Sequence, residues 1–323
     1  MLLAAVAIAI GLILLVWSAD RFVEGAAATA RHAGLSSLLI GMVIVGFGTS
    51  APEMVVSAIA ASEGNVDLAL GNALGSNIVN IGLILGVTAL IAPIVVKSTI
   101  VKKELPILLA VALLCGALLY DNKLSLFDAL CLLSGFIIFV VWSVYSGKRH
   151  SADALNSEFD EEIKQNTMGL SKAIFWLVVG LILLIVSSRT LVWGAVEVAS
   201  RLGVSDLVIG LTIVAIGTSL PELATSFLAA KKGEHDIAIG NVVGSNIFNI
   251  LAVMGIAAAI SPGSPVSASL LTRDWTTMLV FTIALTIMAI GIGRQGRINR
   301  LEGGILLLGY LAYNSYLVLG VMK

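Results

Sequence analysis

The sequence predicts an all-α integral membrane protein of ten transmembrane helices, arranged as two inverted five-helix repeats. Three observations lead there. Of 323 residues, 58% are hydrophobic and 12% charged, and the mean hydropathy is +1.03. About a quarter of a soluble chain is charged, so there is too little polar material here to cover a water-facing surface. The apolar residues gather in runs of about 20, the length that crosses a hydrocarbon core. Finally, a shift of 169 residues lays 38–93 on 207–262 without a gap, and 28 of 56 positions are identical.

The apolar segments run near 2–30, 36–62, 67–92, 101–120, 124–146, 171–200, 206–230, 236–260, 273–293 and 301–321. No basic stretch precedes the first, and Asp20, Arg21 and Glu24 lie within its helical pattern, so it is expected as a retained helix rather than a cleaved signal. Residues 1–147 form the first repeat and 171–323 the second; the polar, acidic stretch 148–170 is expected as a cytoplasmic linker. The register extends upstream, pairing Gly25 with Gly194 and Gly34 with Gly203. Five helices is an odd number, so the second repeat enters the membrane from the opposite side. Such inverted repeats place an ion site near the midplane where they meet.

Most lysines and arginines fall in the loops that share a side with the linker; the other side holds Lys123, Arg201, Arg273 and Lys323. The positive-inside rule then puts the linker in the cytoplasm and both termini outside. Trp17, Trp142 and Trp275 fit interface anchors. Cys115 and Cys131 lie in apolar runs and are expected as buried thiols. A net charge of −1 gives no basic surface for nucleic acid.

The first repeated block is Gly48-Thr49-Ser50-Ala51-Pro52-Glu53, matched by Gly217-Thr218-Ser219-Leu220-Pro221-Glu222. Each glutamate falls in mid-segment, where an acid costs at least about 2.5–3.5 kcal/mol. Paying this at two equivalent positions points to function. Each proline lacks an N–H and breaks the helix, which frees carbonyls near Gly48–Thr49 and Gly217–Thr218. Thr49, Ser50 and Ser57 can share the face of Glu53. Carboxylate, hydroxyls and carbonyls form an all-oxygen set suited to calcium or sodium. With no His or Cys beside them, a soft transition metal is a poor fit.

The second block is Gly71-Asn72-Ala73-Leu74-Gly75-Ser76-Asn77-Ile78-Val79-Asn80, matched by Gly240-Asn241-Val242-Val243-Gly244-Ser245-Asn246-Ile247-Phe248-Asn249. Asn72, Ser76 and Asn80 step by four, as do Asn241, Ser245 and Asn249. Ser76, Asn80, Ser245 and Asn249 are read as ion ligands; for Asn77 and Asn246, helix glue and coordination both stay open. The glycine pairs let another backbone approach closely.

These duplicated motifs resemble the alpha repeats of the cation/calcium exchanger superfamily, closest to its sodium/calcium exchanger branch of ten-helix bacterial type. The resemblance covers the whole chain. It implies an antiporter, not an enzyme, that exchanges sodium for calcium across the bacterial inner membrane by alternating access, with helices 1 and 6 moving past a core of 2, 3, 7 and 8. A proton- or potassium-coupled antiporter of the same fold is the alternative. Its implied ligands are Glu53 and Glu222; Thr49, Ser50, Thr218 and Ser219; Ser76 and Ser245; Asn80 and Asn249; and the carbonyls of Gly46 and Ala215. Sodium, calcium and the bilayer are the expected partners, with no cofactor beyond the transported ions and no obligatory protein partner. Some relatives carry aspartate where this chain has Asn249, so two carboxylates, not three, set the pocket charge. That motivates electrogenic exchange of about three sodium ions per calcium without potassium.

The remaining polar residues carry less. Arg189 and Asp20 are register partners near helix ends, and Arg189 is expected to snorkel. His32, His150 and His235 flank helices as surface residues. Glu63, Asp67, Glu234 and Asp236 lie in short loops as solvated charge that can draw cations.

Overall fold

The computed structural model describes residues 1–33, 35–96, 100–154, 168–202, 215–291 and 296–321. They are mostly helical. In chain order the helices are α1 Leu2–Ala33, α2 Ser37–Thr49, α3 Ala51–Ser62, α4 Val66–Ile91, α5 over 100–118, α6 Leu126–Ala154, α7 Leu170–Arg201, α8 Ala215–Thr218, α9 Leu220–Lys231, α10 His235–Ile260, α11 Leu270–Ile290 and α12 Arg300–Val321. Every expected segment meets a helix, and two segments are each split in two. The start of the seventh, and Gly34 and Gly203, lie outside the described residues. Six helices are individually long and apolar enough to cross a membrane, or seven with the α2–α3 pair, which bends by 42° at its break. α5 opens with the charged run Lys102, Lys103 and Glu104, and the charges of α12, Arg300 and Glu302, are confined to its first turn. The fifth helix continues to Ala154, past the expected boundary at 147; 155–167 lie outside the described residues.

Gly64 (φ +78°) and its register partner Gly233 (φ +80°) turn the chain into α4 and α10. Both need the left-handed backbone that glycine alone adopts freely. Several helices carry π-helical turns, at Ile40–Val45, Val79–Leu85, Ile100–Glu104, Asn249–Met254 and Leu270–Trp275. The second includes Asn80 and the fourth opens at Asn249, both from the second sequence block.

The described chain divides into two compact units, Met1–Thr49 with Ile138–Asn241, and Ser50–Ile137 with Val242–Lys323. Each takes part of both sequence repeats. In the first unit α1 packs along α7 on a seam of glycines. A Cβ on Gly25 would lie 2.6 Å from Leu177 N, and one on Gly194 2.7 Å from the Ala4 carbonyl. Gly11 faces Leu191 and Gly180 faces Phe22, both at 2.9 Å by the same measure. Without a hydrophobic effect between lipid-facing helices, such close backbone contact supplies the cohesion. Gly240 sits against α2, 2.9 Å from the Leu38 carbonyl by the same measure. Lys232 pairs with Asp20 at 2.8 Å and Arg31 with Glu234 at 3.4 Å, so Glu234 is engaged in an ion pair rather than merely solvated.

In the second unit α4 lies between α3 and the π turn of α10, and α12 crosses α4 where Gly86 and Gly303 meet. Two antiparallel ribbons close loops, Ile94–Val95 with Arg297–Ile298 and Lys123–Leu124 with Ser264–Pro265. Trp275 is packed against α5 in this unit. Its indole packs on Gly116 and its Nε1 donates to the Ala112 carbonyl at 2.8 Å. Cys115 is a buried free thiol, but free Cys131 is only half-buried. Among the described residues, no atom stands within 4 Å of a Cβ on Gly71 or Gly75, so no close approach is seen there.

Candidate cation-binding site

In the first unit, Glu222 is 1% exposed. It follows Pro221 in the first turn of α9, after the break at Ser219. Asn241 Nδ2 donates to the Glu222 carbonyl at 3.3 Å and to Ser226 Oγ at 2.8 Å. Thr49, from the other sequence repeat, donates to Asn241 Oδ1 at 3.1 Å and more weakly to the Gly46 carbonyl at 3.4 Å. Its hydroxyl proton is thereby occupied, while its oxygen keeps a lone pair for a cation. Ser219 Oγ is buried with no hydrogen-bond partner among the described residues. Thr218 is half-buried beside it, and Ala215 opens α8.

The proline argument needs one correction. Pro221 does remove the donor that Gly217 would meet in a regular helix, yet that carbonyl is not left for an ion alone. Ser188 of α7 donates to it at 2.9 Å. Ser188 stands beside Ser187, just before Arg189 and Thr190, a polar pair that sequence reasoning passed over. Thr225 was passed over too; it is fully buried, three residues after Glu222, and its Oγ1 has no hydrogen-bond partner among the described residues.

The second unit holds the other half of the expected ligands. Glu53 is 1% exposed and Ser50 fully buried at the break before α3. Asn72 Nδ2 donates to the Glu53 carbonyl at 3.2 Å and to Ser57 Oγ at 2.9 Å. Ser57 in turn donates to the Ala69 carbonyl at 3.1 Å, so it braces α3 against α4 instead of standing ready as a ligand. Ser76 and Ser245 are buried on α4 and α10.

Asn77, Asn80, Asn246 and Asn249, each 1% exposed, come together between α4 and α10. Asn80 Nδ2 donates to Asn246 Oδ1 at 2.9 Å, and Asn249 Nδ2 to Asn77 Oδ1 at 3.0 Å. These bonds are the same bond seen in each repeat. In these bonds the side-chain oxygens of Asn77 and Asn246 serve as acceptors for their neighbours, which gives both residues a part in joining α4 to α10. The Oδ1 atoms of Asn80 and Asn249 are buried with no hydrogen-bond partner among the described residues. A neutral carbonyl oxygen in that condition suits a hard cation.

Residues 3–145 and 172–319 match the family model described as sodium/calcium exchanger protein. The chain is 49% identical over 318 residues to the candidate antiporter CaxA of Alkalimonas amylolytica, covering 98% of this chain and 99% of that protein. It is 32% identical to the sodium/calcium exchanger MaX1 of Methanosarcina acetivorans, covering 94% and 95%. Among solved structures, the sodium-calcium exchanger NCX_Mj soaked with zero Na+ and Ca2+ superposes with a TM-score of 0.84 at 32% identity, over 98% of this chain and 99% of that one. The membrane fold of ten helices in two inverted five-helix repeats follows from that match. On these grounds the chain belongs to the sodium/calcium exchanger family.

Proposed function

We propose that the protein is a secondary antiporter that exchanges sodium for calcium across the bacterial inner membrane, with both termini outside. One observation carries this reading. Glu53 and Glu222 are both 1% exposed, each stands just after a proline at a helix break, and the polar groups around each break are oxygen donors and amides. The sodium/calcium exchanger names of MaX1 and NCX_Mj support the same choice of ions. The carboxylates supply the charge; Thr49, Ser50, Thr218, Ser219, Ser76, Ser245, Asn80 and Asn249 supply neutral oxygens, joined by the carbonyls of Gly46 and Ala215.

The charge count sets the coupling. Two ionised glutamates balance one calcium, whereas a third sodium leaves an excess positive charge, so exchange of about three sodium ions per calcium moves net charge. No third carboxylate invites potassium at Asn249. The test is calcium uptake into vesicles driven by an outward sodium gradient, with E53Q and E222Q beside the wild type. Uptake should vanish in both variants, by about 100-fold or more, because each loses a charged ligand inside a low-dielectric site. Normal uptake by either variant would overturn the assignment.

A further inference from the structure

An asparagine amide has two ends that look alike in shape and are opposite in function, one donating and one accepting. A cation can be held only by the accepting end. Something must therefore decide which way a coordinating asparagine points. In the second unit that decision is visible. Asn80 spends its Nδ2 on Asn246 Oδ1, and Asn249 spends its Nδ2 on Asn77 Oδ1. Turning either amide over would set two carbonyl oxygens against each other and leave an N–H pair aimed at any bound ion. The locking residue Asn77 is itself held, since its Nδ2 donates to the Asn246 main-chain carbonyl at 3.2 Å and to Met278 Sδ at 3.3 Å. What remains after these bonds is a pair of buried, acceptor-only oxygens, Asn80 Oδ1 and Asn249 Oδ1, with no donor among the described residues. The Asn–Asn bond occurs twice, at positions related by the sequence repeat, but only Asn77 is itself held; Asn246 Nδ2 is buried with no hydrogen-bond partner among the described residues.

We propose that Asn77 and Asn246 are positioning residues that fix the amides of Asn249 and Asn80 with their carbonyl oxygens presented to the cation. This rests on the exchanger reading above for the identity of the ion, but not for the geometry. The locking residues touch no ion themselves. Their effect is exerted through the orientation of a neighbour, so it should disappear when that neighbour has no orientation to choose.

Aspartate is such a neighbour, because its two oxygens are equivalent. The experiment compares N77L in two backgrounds, the native one and N249D. Purified protein is titrated with calcium, and binding is read as the rise in melting temperature, alongside sodium-driven calcium uptake in proteoliposomes. In the native background N77L should raise the calcium concentration for half-maximal stabilisation by about ten-fold, the scale of one well-placed buried hydrogen bond. In the N249D background the same substitution should change it less than about two-fold, and relieve the clash between Asn77 Oδ1 and a carboxylate. N246L should act on Asn80 in the same direction but more weakly, because Asn246 is not itself held. An equal shift in both backgrounds would reduce Asn77 to packing and overturn the proposal, as would no shift in the native background. Where N77L gives no folded protein, N77A makes the same comparison; failure of both to fold in either background also assigns Asn77 to packing. A wild type that is stabilised by calcium yet performs no sodium-driven uptake removes the exchanger reading and leaves the amide lock standing. A wild type that exchanges while N77L keeps its affinity does the reverse.

Discussion

A glutamate in the first turn after a helix break gains a fixed place when a neighbouring helix also bonds its carbonyl. Asn241 does this for Glu222 and Asn72 for Glu53, each bonding the glutamate carbonyl and a serine one turn later. Replacing either asparagine with alanine leaves buried acceptors unmet and should lower stability by about 1–3 kcal/mol, read as a drop in melting temperature in detergent. N241A should cost more than N72A, since Asn241 also accepts from Thr49. The stripe of Asn72, Ser76 and Asn80, repeated by Asn241, Ser245 and Asn249, is visible in the sequence as a step of four. What each amide bonds is not. Asn72 reaches across the turn to α3, and Asn80 reaches into the second repeat. Those partners depend on how the chain returns, which a local pattern does not encode.

Among the elements, the α1–α7 pair is held by close packing rather than by polar bonds. Gly25, Gly180, Gly11 and Gly194 each bring backbone or Cβ atoms of the facing helix within about 3 Å of where a side chain would start. G25L and G180L should therefore fail to give monodisperse protein, whereas K232A, which breaks a half-exposed ion pair with Asp20, should cost under about 1 kcal/mol. The repeat register already singled out Gly25 and Gly194. Gly11 and Gly180 are also register partners, but they lie where the rest of the two helices has diverged, so identity alone did not mark them. Helix ends were less legible. Charge at 148–154 suggested a linker, yet α6 continues to Ala154, because a helix that has left the apolar region still satisfies its own backbone. Trp275 shows the same limit. Its position near a segment end suggested an interface anchor, but its bond to Ala112 and its packing on Gly116 of α5 could not be read from that position.

For the molecule as a whole, the proposed charge balance predicts two responses. Calcium flux in proteoliposomes should follow an imposed membrane potential and should not need potassium; a strict potassium requirement would fail it. Protons should compete with cations for Glu53 and Glu222, so uptake should fall as pH is lowered from about 8 toward about 6, and a flat profile would argue against ionised glutamates as ligands. The inverted ten-helix plan was legible because the repeat survives as identity across the polar motifs. The compact units were not, since each draws on both repeats and breaks the chain at Thr49 and Asn241, inside the motifs themselves.

The π-helical turns carry a record of descent. A π turn is the trace left when one extra residue is taken into an α-helix. Moved by 169 residues, the turn at Val79–Leu85 falls on the one at Asn249–Met254, and that at Ile100–Glu104 falls on Leu270–Trp275. Two separate insertions at matching places in each half would be a coincidence twice over. The simpler history is that a single five-helix ancestor already carried both extra residues before its gene doubled. Asn80 and Asn249, which lie in the matched turns, would then descend from one asparagine of that ancestor.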